Sequence, residues 1–157
     1  MNAELTETLA QLIRARSTAA LGTLRGEAPY VSMVPYALAA DGSGFLVHVS
    51  TLAAHTKDML ADARVSLLIA EAEGGEKSPL GLARVSVQAM AEQIASDSTP
   101  QSEFRASYLA RFPDAEPMFG FADFSLFLIR PVSARFVAGF GQAHSLTTES
   151  LARILKG

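Results

Sequence analysis

Between residues 18 and 70 the chain alternates short apolar runs with tight-turn signals, and that rhythm commits it to hairpin-joined strands. "TAALGTL" (18–24) reads as a strand, "RGEAP" (25–29) as a turn with Gly and Pro, and "YVSMVPYAL" (30–38) as a second strand. Alternation puts Tyr30, Ser32, Val34 and Tyr36 on one face and Val31, Met33, Pro35 and Ala37 on the other. Pro35 has no N–H to give to a ladder, so the strand is interrupted or edge-like there. "DGSG" (41–44) is a hairpin turn, and "FLVHV" (45–49) returns as the third strand. Residues 51–61 switch to helical period, with Leu52, Met59 and Leu60 on one face and Ser50 or Thr51 as N-cap. "RVSLLIA" (64–70) is again a strand.

The rest of the chain continues the pattern. After a polar loop (71–79), residues 82–94 read as a long strand with Arg84, Ser86 and Gln88 on one face and Val85, Val87 and Ala89 on the other. Residues 100–120 read as helical, with Phe104, Tyr108 and Phe112 four apart on one face. Residues 124–140 give two strands bent at Pro131. Helices at 2–16, striped by Leu5, Leu9, Leu12 and Ile13, and at 147–156 begin and close the chain. Arg14 and Arg16 suit the C-terminal end of the first helix dipole. The expectation is a mainly β protein with helices: six or seven antiparallel strands curled into a barrel, which removes exposed edges.

Composition narrows the function classes. With 157 residues, 49% hydrophobic and 18% charged, the chain is expected to form one globular domain spanning 1–157. A net charge of −3 argues against nucleic acid as a partner. There is no cysteine, hence no disulfide and no thiolate chemistry. Three histidines without an HExxH or clustered pattern predict no metal site. The N-terminal stretch "MNAELTETLAQLIRAR" has early acids and no continuous apolar run. It reads as neither signal peptide nor membrane span, so cytoplasm is the expected location.

The chemistry concentrates at one corner. Ser50, Thr51, His55, Thr56 and Lys57 fall where the third strand meets the following helix. A helix N-terminus carries free N–H groups and partial positive charge, and attracts anions. Hydroxyls, an imidazole and an ammonium added there suit a phosphate ester, each charged hydrogen bond contributing about 1.5–3 kcal/mol. The alternative is a plain helix cap with a solvated lysine. His48 reads as a packed or exposed strand histidine rather than a catalyst. No nucleophilic triad is present, and no catalytic residue is assigned.

The segments "STAALGTLRGEAPYVSMVPYALAADGSGFLVHVSTLAAHTKDMLADARVSLLI", "LARVSVQAMAE" and "FADFSLFLIRPVSARFVAGFGQA" resemble the FMN-binding split β-barrel family that includes pyridoxamine-phosphate oxidase. Within it the chain is most similar to the haem-utilisation branch, where a "VS.LA.HT.N" corner and a late "ARFVGGFG.A" segment recur. The resemblance implies a homodimer with FMN in the groove between subunits. It places the FMN phosphate on Ser50, Thr51, His55, Thr56 and Lys57, and the flavin ring against Ser32, Met33, Val34 and Pro35. It places Arg84 beside the ring or ribityl chain, and makes Arg135, Phe136 and His144 candidates to reach the partner's flavin. Three positions depart from the pattern: Asp58 sets an acid beside the expected phosphate, Ala138 replaces a usual Gly, and Gln142 a usual Arg. The chain also ends before the branch's extra C-terminal domain, so the resemblance implies FMN ahead of haem. The implied function is a flavin-dependent oxidoreductase acting on an unidentified small molecule, in which the flavin carries the chemistry. The alternative is a non-catalytic flavin- or haem-binding or storage protein.

Overall fold

Pro35 breaks the second strand, and that break is where the barrel closes. The computed structural model describes residues 1–157. Helix α1 (Ala3–Ala15) leads into strands β1 (Thr18–Arg25), β2 (Ala28–Pro35), β3 (Ala37–Leu38) and β4 (Phe45–Ser50). Helix α2 (Ala54–Ala61) follows, then β5 (Arg64–Ala70), a 3-10 turn at Pro79–Gly81 and β6 (Arg84–Ile94). Helix α3 (Thr99–Arg111) and a second 3-10 segment (Pro113–Gly120) precede β7 (Phe124–Val137), β8 (Ala143–Thr147) and α4 (Thr148–Lys156). No helix is long and apolar enough to cross a membrane.

All eight strands form one antiparallel sheet in the order β2-β1-β5-β6-β7-β4-β3, with β8 on β7. β2 and β3 are its two ends, yet only Tyr36 separates them in the chain. The sheet therefore curls until its edges meet at that residue. Tyr36 is buried there, donates its N–H to Ser17 O and hydrogen-bonds Ile13 O through its hydroxyl.

Two expectations change. Residues 124–137 form one strand, not two. Gln88 pairs with Ser133 and Ala89 with Pro131, so Val132 is an extra residue in the β6–β7 ladder. A bulge absorbs the proline without ending the strand. β8 then adds a strand that no alternating apolar run announces, because only Leu146 of its five residues is buried.

The sheet has two unequal outer faces. The barrel interior is packed by Leu21, Val34, Phe45, Leu67, Val87 and Phe136, among others, and closed by α1 and α4. Outside, β4 and β7 present Leu46, Leu126 and Leu128 to Phe104 and Tyr108 of α3, making a second core. Outside β2 and β5 no element does this, and Val31 (67% exposed), Met33 (66%) and Leu68 (42%) stand bare.

Candidate functional site

The corner after β4 is built, and it is not capped. Helix α2 has Ala53 as its N-cap, with no side-chain hydrogen bond to its first turn. The Ser50 hydroxyl accepts Leu52 N–H (3.2 Å), ahead of the helix, and lies 3.3 Å from Asp123 Oδ2. The expected Ser50 or Thr51 cap is therefore absent. The sequence expectation missed it because two more residues, Leu52 and Ala53, intervene before the helix begins. Ala54, His55 and Thr56 keep backbone N–H groups with no acceptor in the chain. Leu52 and Leu60 are exposed and only Met59 of the expected apolar face is buried, so α2 sits on the sheet by a short contact.

The side chains divide in their availability. Thr56 is buried, and its hydroxyl donates to Ser50 O at 2.6 Å, so it braces the turn. Thr51 donates its N–H to Asp123 O (2.6 Å), while its hydroxyl is unpartnered. Lys57 is exposed and forms no ion pair. His55 Nδ1 lies 3.1 Å from Ser32 Oγ. Burial lowers the His55 pKa below its ordinary value, outweighing the pull of Asp58. A neutral imidazole that accepts from Ser32 carries its proton on Nε2, which makes it a donor.

Asp58 does not oppose an anion at this corner in the way its place in the sequence suggests. Its carboxylate is 5% exposed and turned to β1, where it accepts from Thr23 Oγ1 (2.8 Å) and Arg25 Nε (3.3 Å). Arg25 also lies over the Tyr30 ring, 4.1 Å from its centre. This clasp ties α2 to the β1–β2 hairpin, and Arg25 and Thr23 carry no sequence signal for it. Asp123, the acid that does reach the corner, lies 73 residues from Ser50 and was equally invisible.

Strand β2 separates the corner from a groove. Along the bare outer face of β2, β1 and β5 runs a groove of about 650 Å³ lined by Val31, Ser32, Met33, Ala20, Leu68 and Ala70, with Arg16, Glu71 and Glu73 at its rim. Met33 points into it, while Ser32, paired with the core residue Leu21, turns its hydroxyl to the opposite face and toward His55. Val34 faces the core at 1% exposure, so only its backbone is open to a ligand, and exposed Pro35 ends the strand.

Arg84 is not brought to this corner within one chain. β6 stands three places from β2 in the sheet order, and Arg84 donates to Leu80 O (3.3 Å) and Leu82 O (2.9 Å). Arg135 is exposed and donates to Ser145 Oγ (3.2 Å). Phe136 is 0% exposed in the barrel core, so no ligand of a partner can touch it. His144 lies opposite Phe136 on β8, half-buried. His48 stacks on Phe119 (3.8 Å, 6°) with Tyr108 and Phe124 close by, as a packed strand histidine.

A curled antiparallel barrel with an uncapped helix start at one corner and an outer groove defines the class. The family model described as pyridoxamine 5'-phosphate oxidase matches residues 5–138, and the chain belongs to that family. Its relatives place it in the haem-utilisation branch of the fold. It is 28% identical over 138 residues to the heme oxygenase HutZ of Vibrio cholerae, covering 87% of this chain and 77% of that one. It is 37% identical over 115 residues to a chloroplastic heme oxygenase, HOZ, of Arabidopsis thaliana, covering 73% of this chain. This chain spans 33% of that plant protein's length. A solved heme binding protein from Mycobacterium smegmatis superposes with a TM-score of 0.84 at 29% identity, over 98% of this chain and 62% of that one.

Proposed function

We propose that this protein binds haem in the outer groove and either stores it or takes part in its breakdown. The observation that carries the reading is the groove itself: a trough of about 650 Å³ with an apolar floor, on an outer face that the chain leaves bare. The names of the relatives support the ligand, since each speaks of haem. The lining fits a planar apolar ring with charge at one edge. It offers the iron less, because none of the three histidines lines the groove and Met33 is its one sulfur donor. Bound there, haem would supply an iron able to take up oxygen. The chain's own part is to seat the ring, shield one face from water and hold its charged edge. This order reverses the expectation of FMN ahead of haem.

FMN is the second reading, and the uncapped α2 supports it. Three N–H groups without acceptors, the Thr51 hydroxyl, His55 and Lys57 gather at one helix start, a setting that suits a phosphate ester. An oxidoreductase function would then follow from the flavin.

Both readings are completed by a second copy in a cytoplasmic homodimer. Val31, Met33 and Leu68 form an apolar face that a partner would cover, closing the open side of the groove. Arg84, set apart from the corner in its own chain, would reach a ligand only from that partner.

Titration of the purified protein with hemin, and separately with FMN, tests this. A Soret band that survives gel filtration is the expected result. A retained flavin spectrum without haem uptake would promote the second reading. Uptake of neither would overturn both.

A further inference from the structure

Arg16 lines three neighbouring cavities. It stands at the rim of the outer groove, in a cleft of about 470 Å³ beside Lys77 and Ala83, and in one of about 380 Å³ beside Tyr36 and Arg111. Among the residues lining the groove it is the only cation, facing Glu71 and Glu73 on the same rim. Glu71 is already neutralised: both its oxygens accept from Lys77 Nζ at 2.9 Å, and one also accepts Ala83 N–H at 3.0 Å. Glu73 is exposed.

The Arg16 backbone is fixed while its side chain is free. Its N–H donates to Leu12 O (3.2 Å) as the C-cap of α1, and its carbonyl accepts from Arg111 Nη2 (3.1 Å). Its guanidinium makes no hydrogen bond and no ion pair. Arg16 is a half-buried residue on an anchored backbone beside an apolar trough, and its guanidinium is matched by a carboxylate, which it can grip by two parallel bonds.

We propose that Arg16 is a specificity-determining residue that grips the acid edge of a planar carboxylate-bearing ring. The ring then lies over Ala20 and Leu68 with its carboxylates toward the C-terminal end of α1. This rests on the haem reading, and it adds an orientation and a selectivity for free carboxylates.

Spectral titration of the full chain with hemin and with hemin dimethyl ester tests it, because the ester keeps the ring and iron but removes the acid charge. The wild type is expected to prefer hemin by tenfold or more. Arg16→Gln should lose that preference by weakening hemin binding alone, and Arg16→Lys should keep part of it. The ester comparison on the wild type needs no variant, so a misfolded variant cannot hide the answer. Equal wild-type affinity for hemin and its ester, or an Arg16→Gln protein that still prefers hemin, would overturn the role of Arg16 while leaving haem binding intact. Failure of the wild type to bind either compound would overturn the haem reading and this proposal with it.

Discussion

The outer faces of β4–β7 and of β2–β1–β5 belong to one sheet, obey one alternation, and meet opposite fates. Leu128 on the first is 0% exposed beneath α3, while Met33 on the second is 66% exposed. Both are apolar side chains pointing out of a barrel. The difference is a helix: the segment after β6 folds back over β4 and β7, and no element packs on the outward side chains Val31 and Met33 of β2. The covered face serves stability. The bare face is where a ligand, a second copy, or both can be received.

The largest expected break in that comparison is Leu128→Ala. Truncating a fully buried leucine costs roughly 2–5 kcal/mol, which urea unfolding would register as a lower midpoint with unchanged slope. Met33→Ala, by contrast, should shift monomer stability by no more than about 0.5 kcal/mol. If the two variants lost equal stability at low protein concentration, the second face would not be bare.

A double variant Val31→Lys and Met33→Lys attacks function on the same face. It should leave the fold intact by circular dichroism yet give a monomer in light scattering, with haem uptake lost. A dimer of unchanged size would place the subunit contact elsewhere.

The corner gives a smaller effect. Thr51→Ala with Lys57→Ala should weaken FMN binding at least tenfold, about 1.4 kcal/mol, and leave riboflavin binding unchanged. Equal loss for both would mean that the phosphate is held elsewhere.

The covered face also carries a pH signature. Burial, and then the charge of Arg105, lower the His48 pKa from 6.5 to about 4. As pH falls from 6.5 toward 4, the unfolded chain takes up a proton that the folded chain refuses, so the unfolded state gains and stability declines across that window. His55, also lowered, adds in the same direction. His48→Phe keeps the stack on Phe119 and removes the titration, so its unfolding midpoint should fall less between pH 7 and pH 5 than that of the wild type. Parallel declines would remove His48 as the cause.

Much of this was legible in the sequence. The period-two runs gave β1, β2, β4, β5 and β6 close to their observed limits, because alternation is a direct imprint of a sheet with one buried face. The placing of Ser50, Thr51, His55 and Lys57 around one helix start was legible for the same local reason. The Val132 bulge was not, since a proline in a run reads as a stop until the partner strand is known. The turn of Asp58 toward Thr23 and Arg25 was hidden too: its partners lie 35 and 33 residues away.

The sequence by itself determined most of the strands, their inward and outward alternation, and the gathering of Ser50, Thr51, His55 and Lys57 about one helix start. These depend on neighbours within a few positions, where side-chain chemistry and backbone geometry are coupled directly. Only the tertiary structure decided which outer face is covered, that α2 keeps its N–H groups open, that Phe136 is lost to the core, and that Arg16 stands free at the groove rim. Each of those depends on which distant segment packs alongside, and contacts between segments far apart in the chain leave no periodic trace in the sequence.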